Sequence, residues 1–114
     1  MIGTGSMGFS HARVYAELDG VELVAVADPS ATARARVANT YRPEVYDDYR
    51  TMLEREKPDL VTVAVPTQMH VDVACEVMSR GIHVLVEKPL ALTVEDGQTI
   101  IDTAREFGVK LSVG

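Results

Sequence analysis

A glycine-rich segment near the start of the chain has the spacing of a turn that binds phosphate groups. Gly3, Gly5 and Gly8 fit the pattern G-x-G-x-x-G, with Ser6 and Met7 between the second and third glycines. The first glycine permits a tight turn, the second lets the main chain approach a pyrophosphate, and the third lets the following helix pack closely. A helix beginning near Ser6 would direct free amides and its positive dipole end at the phosphates. Because three glycines can also form a simple turn, this pattern alone is weak.

An acidic residue at a defined distance strengthens the prediction. Asp28 closes an apolar segment and lies 20 residues after Gly8. A carboxylate at this distance accepts hydrogen bonds from the adenosine ribose of a bound dinucleotide. Because it would also repel a 2′-phosphate, we expect NAD to be favoured over NADP, which remains possible. Arg34 and Arg36 follow and could weaken that preference, although a solvated helix face explains both more simply.

Two polar segments follow apolar runs and are candidates for the reactive end of a site. Glu87 and Lys88 come directly after residues 82–86, and residues 66–70 come after residues 60–65. Ligands of open α/β sheets bind beyond the carboxyl ends of the strands. A lysine there can hydrogen-bond a substrate oxygen whose charge changes during hydride transfer.

The same Glu-Lys-Pro tripeptide also occurs at residues 56–58, where it follows a predicted helix and precedes a predicted strand. There Lys57 is a charge at the helix C-terminus and Pro58 ends the helix. The position of Lys88 after a strand, and not the tripeptide itself, therefore carries the prediction. The Lys88–Pro89 bond could be cis, although most X-Pro bonds are trans.

The remaining polar candidates have simpler structural explanations. Thr67 is predicted to cap a helix, with His70 in the first turn as a partly buried polar residue. Cys75 is predicted to pack on a helix face. His11 and His83 are likewise read as structural, and no spacing of Cys, His and carboxylates predicts a metal site.

Composition excludes several functional classes. The chain has 114 residues, 46% of them hydrophobic and 25% charged, as in a globular domain, and its net charge is -6. This charge disfavours nucleic acid as a partner. The apolar runs are too short to cross a membrane, no signal peptide is visible, and a single cysteine excludes an internal disulfide. We therefore expect a cytoplasmic protein.

Alternating apolar runs and helical patterns predict the fold. The expected strands are residues 21–27, 60–65, 82–86 and 109–113, buried on both faces. Helices are expected from Ser30, from Asp47 or Asp48, from Thr67 to Gly81, and from Thr93 to Gly108. The predicted buried positions of the last two helices are Val71, Ala74, Cys75 and Met78, and Ile100, Ile101, Ala104 and Phe107. The fold class is α/β, a doubly wound parallel sheet whose first strand is truncated before Gly3.

Four segments carry a family resemblance, namely residues 3–8 (GTGSMG), 27–29 (ADP), 65–70 (VPTQMH) and 81–91 (GIHVLVEKPLA). They resemble the Gfo/Idh/MocA oxidoreductases over essentially the whole chain. The resemblance implies a soluble NAD- or NADP-dependent enzyme that oxidises a hydroxyl of a sugar, inositol or related polyol. It also implies that the glycine turn holds the pyrophosphate and that Asp28 holds the ribose.

The resemblance further implies roles for the two strand-end loops. Pro66, Thr67 and His70 would line the cofactor cleft, Glu87 and Lys88 would lie beside the nicotinamide, and Lys88 would contact cofactor and substrate as the catalytic residue. Thr67 departs from the family, which usually has Asn there. The family's C-terminal α+β domain, which supplies an Asp and a His and mediates oligomerisation, is absent from these residues.

We therefore expect residues 1–114 to be a single dinucleotide-binding domain, the N-terminal half of a two-domain enzyme that forms a homo-oligomer. On its own it is expected to bind the cofactor weakly at best and to have no turnover, since the short first strand would damage the glycine turn and the absent domain would leave the nicotinamide open to water. One alternative is a non-catalytic dinucleotide-binding or sensor module. A second, a methyltransferase that uses S-adenosylmethionine, leaves Glu87 and Lys88 unexplained.

Overall fold

The computed structural model describes residues 1–114 as alternating helices and short parallel strands. The elements are α1 (Ser6–Glu17), β1 (Ala25–Ala27), α2 (Ala31–Tyr41), β2 (Glu44–Tyr46), α3 (Tyr49–Glu56), β3 (Leu60–Val63), a 3-10 turn (Thr67–Met69), α4 (His70–Ser79), β4 (His83–Val86), α5 (Val94–Glu106) and β5 (Leu111–Val113). These elements confirm the predicted α/β class with parallel strands. They divide into two compact units, Met1–Pro58 (unit 1) and Asp59–Gly114 (unit 2). None of the helices has the length and apolar character needed to span a bilayer.

In unit 1 the residues before the glycine turn pair with β1. Ile2 forms an isolated parallel bridge with Ala27, so the first strand is as short as predicted. The Ala27 amide donates to the Met1 carbonyl at 2.9 Å, and the Gly3 amide donates to the Ala27 carbonyl at 2.8 Å. These two hydrogen bonds join the main chain that enters the turn to β1.

The predicted strand at residues 21–27 forms only over its last three residues. Val21 and Val24 are 43% and 36% exposed, so the expectation that the whole run is buried on both faces is wrong. The partner sets the length, because β1 pairs in parallel with β2 and β2 has only three residues. Strand β2 was not predicted, since its residues are partly charged and mostly exposed and form no apolar run.

The helices of unit 1 begin where polar side chains cap them. Ser30 Oγ accepts a hydrogen bond from the Ala33 amide at the start of α2, and the Asp48 carboxylate accepts one from the Arg50 amide at the start of α3. Helix α3 ends at Lys57, which has a positive φ of 45°. These starts, and the end of α3 before Pro58, were predicted.

Unit 2 contains a three-stranded parallel sheet in the order β3-β4-β5, with Val61 opposite Val84 and Val84 opposite Leu111. Each strand is shorter than its predicted run. Strand β5 differs most, because Ser112 and Val113 are exposed rather than buried.

Helix α4 buries a different face from the predicted one. Its buried residues are His70, Val73, Ala74, Val77 and Met78, whereas Val71 and Cys75 are only half-buried. The buried positions follow i, i+3, i+4, i+7 and i+8 from a polar residue, and a search for apolar positions therefore starts the pattern one residue late.

The predicted cap at Thr67 is wrong. Thr67 begins the 3-10 turn, α4 begins at His70, and no side chain caps either start. Helix α5 begins as predicted, because Thr93 Oγ1 accepts from the Asp96 amide at 3.1 Å. In α5 the predicted Ile100 and Ala104 are buried, but Ile101 is half-buried and Phe107 is exposed.

Two helical glycines give opposite expectations for substitution by alanine. A Cβ on Gly8 would lie 2.1 Å from the Gly3 carbonyl oxygen, whereas a Cβ on Gly97 would have its nearest contact at 3.8 Å, with Leu90 Cδ2. We expect Gly8→Ala to lower the free energy of unfolding by about 1–3 kcal/mol or more. Gly97→Ala should raise it by up to about 1 kcal/mol, since alanine favours helix. Urea unfolding followed by circular dichroism measures both, and equal effects would contradict the close contact at Gly8.

Candidate functional site

The three glycines of the turn in unit 1 have three different surroundings. Gly3 has a positive φ of 90°, a conformation that favours glycine. Gly8 has no room for a side chain beside the Gly3 carbonyl. Gly5 is exposed, and a Cβ there would meet nothing within 4 Å. Backbone conformation and packing therefore explain the first and third glycines, while the second leaves open space over the main chain.

The N-terminus of α1 lies in this turn without a capping side chain. Gly5 is its N-cap residue, and its first turn contains no acidic residue. Ser6 and Met7 are exposed. The first amides of a helix have no partner within the helix, so those of Ser6 and Met7 can donate to an anion that approaches the open space at Gly5.

The carboxylate of Asp28 fastens the glycine turn to the loop after β1. Its Oδ2 accepts from the Thr4 amide and its Oδ1 accepts from the Ser30 amide, both at 2.8 Å. Each carboxylate oxygen has a second lone pair that can accept another hydrogen bond. The half-buried Asp28 thus holds the turn and retains acceptors for a ligand hydroxyl.

The two arginines near Asp28 have defined partners. Arg34 Nη1 donates to the carbonyl of Asp28 at 2.6 Å and to that of Pro29 at 3.1 Å. The Arg36 guanidinium lies 3.9 Å from the centre of the Phe9 ring. A simply solvated helix face is therefore a wrong description. Arg34 remains close to the main chain of Asp28, whereas Arg36 packs against α1.

A further residue of the turn was missed from the sequence. Thr4 is 1% exposed, and its hydroxyl is buried without a hydrogen-bond partner. A buried polar group of this kind costs free energy and calls for an explanation. A threonine inside a glycine pattern gives no sequence signal for such a state, because only the burial reveals it.

In unit 2 the predicted pair lies directly after β4. Glu87 is 8% exposed, and its Oε2 accepts from the Lys88 amide at 3.1 Å. The Glu87 amide continues the ladder to β3 by donating to the Val63 carbonyl at 3.0 Å. The Lys88–Pro89 bond is cis, and Lys88 is exposed. One carboxylate oxygen is therefore turned back onto its own loop and the other lies beside Gly114, while Lys88 is exposed.

The loop after β3 meets this turn through His70, which is 1% exposed rather than partly buried. His70 Nδ1 lies 3.0 Å from the Pro89 carbonyl oxygen and 3.2 Å from that of Leu90. Its Nε2 lies 3.0 Å from the Val65 carbonyl oxygen. Both polar atoms of the ring thus contact main-chain carbonyls. In the same loop Pro66 is exposed and Thr67 is half-buried.

The other candidates have structural contacts. Cys75 Sγ lies 3.4 Å from Thr103 Oγ1 on α5. His83 Nδ1 accepts from the Lys110 amide at 3.1 Å. No group of three or more His, Cys, Asp or Glu side chains is arranged to hold a metal ion.

Comparison with known proteins gives consistent results. Residues 1–114 match the sequence model of the Gfo/Idh/MocA family, described as an oxidoreductase family with an NAD-binding Rossmann fold. A glycosyl hydrolase family 109 protein of Shewanella putrefaciens is 42% identical over 113 residues, covering 90% of this chain and 25% of the relative.

Two solved structures are similar over nearly the whole chain. The WlbA dehydrogenase of Bordetella pertussis, in complex with NADH and UDP-GlcNAcA, is 30% identical with a TM-score of 0.93, covering 98% of this chain and 34% of that one. The UDP-N-acetylglucosamine 3-dehydrogenase GnnA of Acidithiobacillus ferrooxidans is 34% identical with a TM-score of 0.90, covering 99% and 36%. The chain thus spans about a quarter to a third of the length of these relatives. It belongs to the Gfo/Idh/MocA oxidoreductase family and has that family's NAD-binding Rossmann fold.

Proposed function

We propose that these residues bind NAD for an oxidoreductase that acts on a hydroxyl of a sugar, inositol or related polyol. The observation that carries the proposal is a difference between two glycines of the turn. A side chain at Gly8 would clash with the Gly3 carbonyl, whereas Gly5 faces open space. A pyrophosphate can approach the main chain at Gly5 and accept hydrogen bonds from the amides of Ser6 and Met7. The similarity to two sugar-nucleotide dehydrogenases supports the substrate class.

Asp28 is proposed to select NAD over NADP. Its carboxylate can accept hydrogen bonds from the ribose hydroxyls while it holds the amides of Thr4 and Ser30. A 2′-phosphate would bring a second negative charge to the same place. Arg34, which donates to the carbonyl of Asp28, offsets part of that repulsion, so NADP is expected to bind more weakly rather than not at all.

Lys88 is proposed as the catalytic residue. Bound NAD would supply the acceptor for a hydride from the carbinol carbon of the substrate. The hydroxyl proton would pass to water or to a base of the second domain. Lys88, which is exposed, can hydrogen-bond the oxygen and stabilise the charge that develops on it. Glu87, Pro66, Thr67 and His70 are proposed to shape the loops around the cofactor.

The remaining predictions concern the protein that carries this chain. We propose that residues 1–114 are the dinucleotide-binding part of a longer, cytoplasmic, homo-oligomeric enzyme whose second domain completes the substrate site. In isolation the chain is expected to bind the cofactor without turnover. Cofactor binding by a complete protein without hydride transfer to or from any polyol would support the alternative of a sensor module.

A second candidate function is glycoside hydrolysis that uses NAD without net oxidation. The 42% identical relative from Shewanella putrefaciens is named a glycosyl hydrolase. The NADH concentration distinguishes the two candidate functions, because a dehydrogenase accumulates NADH together with its product. An NAD-dependent hydrolase releases a sugar while the NADH concentration stays constant.

Substitution of Asp28 tests the cofactor site. We expect Asp28→Ala to weaken NAD binding about tenfold or more, since hydrogen bonds to a charged group contribute about 1.5–3 kcal/mol. The affinity for NADP should fall less, because a repulsive charge is also removed. Calorimetric titration with both nucleotides measures the two affinities.

Asp48→Ala is the matched control, because Asp48 also accepts from the amide two residues further on, at the start of α3. It should lower stability by about 1 kcal/mol and leave NAD affinity unchanged. Equal weakening of NAD binding by the two substitutions would contradict a direct role for Asp28.

Gly5→Ala tests whether the open space in the turn is a binding site. The backbone of Gly5 has a φ of -62°, which alanine accepts, and the new methyl group would meet no protein atom. We expect unchanged stability and NAD binding weakened about tenfold or more, since overpacking by a methyl group costs about 1–3 kcal/mol. Gly97→Ala is the control for the added methyl group. Unchanged affinity in Gly5→Ala would place the pyrophosphate elsewhere.

Thr4→Val tests whether the buried hydroxyl of the glycine turn contributes to stability or to NAD binding. Valine has nearly the same shape, so the folded protein loses only a hydroxyl that has no partner, and stability should stay constant or rise by up to about 1 kcal/mol. If the hydroxyl serves the bound cofactor, NAD affinity should fall in Thr4→Val and persist in Thr4→Ser. Thermal unfolding and calorimetry on the same samples separate the two effects. Loss of stability in Thr4→Val would show that the hydroxyl supports the fold.

A further inference from the structure

We infer that His70 is a positioning residue for Lys88, which it serves by fixing the turn that carries the lysine. This inference rests on the proposed role of Lys88. The imidazole joins two strand-end loops of unit 2, because Nε2 contacts the Val65 carbonyl after β3 and Nδ1 contacts the Pro89 and Leu90 carbonyls after β4. His70 never needs to touch the cofactor or the substrate to perform this role.

The hydrogen-bonding chemistry of the ring explains why a histidine suits this place. Carbonyl oxygens only accept, so the ring must donate, and a neutral imidazole has one N–H. A hydrogen on Nδ1 is shared between the Pro89 and Leu90 carbonyls, at 3.0 and 3.2 Å. The other neutral tautomer carries its hydrogen on Nε2 and donates to the Val65 carbonyl, at 3.0 Å. Nδ1 lies within reach of two carbonyls and Nε2 of one, and it is the tautomer with the hydrogen on Nδ1 that fixes the Lys88 turn.

Burial makes these contacts decisive for the conformation of the turn. His70 is 1% exposed, so water cannot replace the ring as a donor without reorganisation of the loops. Without the ring, the carbonyls of Val65, Pro89 and Leu90 lose the donor that joins them. Removal of the ring therefore leaves the turn free to adopt other conformations.

Glu87 holds the part of the same turn that lies before Pro89. Glu87 Oε2 accepts from the Lys88 amide, and the Glu87 amide donates to the Val63 carbonyl. The main chain is thus held on the amide side of Lys88 by Glu87 and on the carbonyl side of Pro89 and Leu90 by His70. Lys88 itself is exposed, so its amine projects from a main chain that is fixed before and after it.

The second Glu-Lys-Pro tripeptide, at residues 56–58, ends a helix and has different hydrogen bonds. Lys57 lies at the C-terminus of α3, and its amide donates to the Leu53 carbonyl. The Glu56 carboxylate accepts from the Tyr46 hydroxyl rather than from the following amide, and this hydrogen bond raises the pKa of the Tyr46 phenol. The tripeptide alone therefore does not create the arrangement seen at Lys88.

The test compares His70→Ala, His70→Asn and His83→Ala in this chain. Asparagine keeps a side-chain N–H near the position of Nδ1, and it guards against a failure of the alanine variant to fold. His83→Ala removes the second ring of unit 2 that contacts main chain, at the Lys110 amide. The readout is the 15N order parameter of the Lys88 and Leu90 amides, with Lys57 as an internal reference.

We expect the order parameters of Lys88 and Leu90 to fall from about 0.85 to below about 0.6 in His70→Ala. They should recover in His70→Asn and stay unchanged in His83→Ala, while Lys57 is constant in all variants. Unchanged order at Lys88 in the two His70 variants would overturn the inference. If His70→Ala does not fold, His70→Leu takes its place, because leucine keeps most of the bulk of the ring and has no side-chain N–H. Loss of order at Leu90 in His70→Leu but not in His70→Asn supports the inference, and unchanged order in both overturns it.

A kinetic measurement in the complete enzyme separates this inference from the proposed function. With Lys88 misplaced, His70→Ala should lower kcat about tenfold or more, change KM for NAD less than about threefold, and be rescued by His70→Asn. A disordered turn with unchanged kcat would overturn the positioning role. Absence of hydride transfer in the unsubstituted enzyme would contradict the proposed function, and the order parameters would still decide whether His70 fixes the turn.

Discussion

The missing side chain at Gly8 is the constraint on which the arrangement of unit 1 depends. Helix α1 approaches the entering main chain so closely that a Cβ at Gly8 would lie 2.1 Å from the Gly3 carbonyl oxygen. This approach sets the start of the helix against the turn and leaves its first amides at the surface. The main chain on the other side of the turn pairs with Ala27, because the Gly3 amide donates to the Ala27 carbonyl and the Ala27 amide donates to the Met1 carbonyl.

Unit 2 also holds the main chain beside its candidate residues in place, but by hydrogen bonds rather than by close packing. Its two strand-end loops contain no close-packed glycine, and polar side chains hold them instead. His70 and Glu87 are both nearly buried and both form hydrogen bonds to main-chain atoms of the loops. The exposed groups beside them, Lys88 and Pro66, thereby stand on a fixed main chain. The proposed role of Lys88 requires such support, since small displacements of a reacting group reduce rates strongly.

The sequence predicted the fold class, and it correctly placed the glycine turn before α1 and the Glu87–Lys88 pair after β4, because these features depend on local patterns. Apolar runs located β3 and β4, polar caps located the starts of α2, α3 and α5, and glycine spacing located the turn. Prediction from the sequence failed where the structure of a segment depends on its tertiary contacts. Strand β1 is short because β2 is short, and β2 has no apolar pattern of its own. The burial of Thr4 and the three carbonyl contacts of His70 arise from tertiary packing, which no single segment of the chain specifies.

The contacts of His70 have a consequence for how this turn can diverge among proteins. All three of its partners are main-chain carbonyls, which every amino acid possesses. The side chains of Val65 and Leu90 can therefore be exchanged for others without removing an acceptor from the ring. Sequence drift around the lysine can in this way alter the shape and polarity of the loop surface while the scaffold beneath it keeps its geometry.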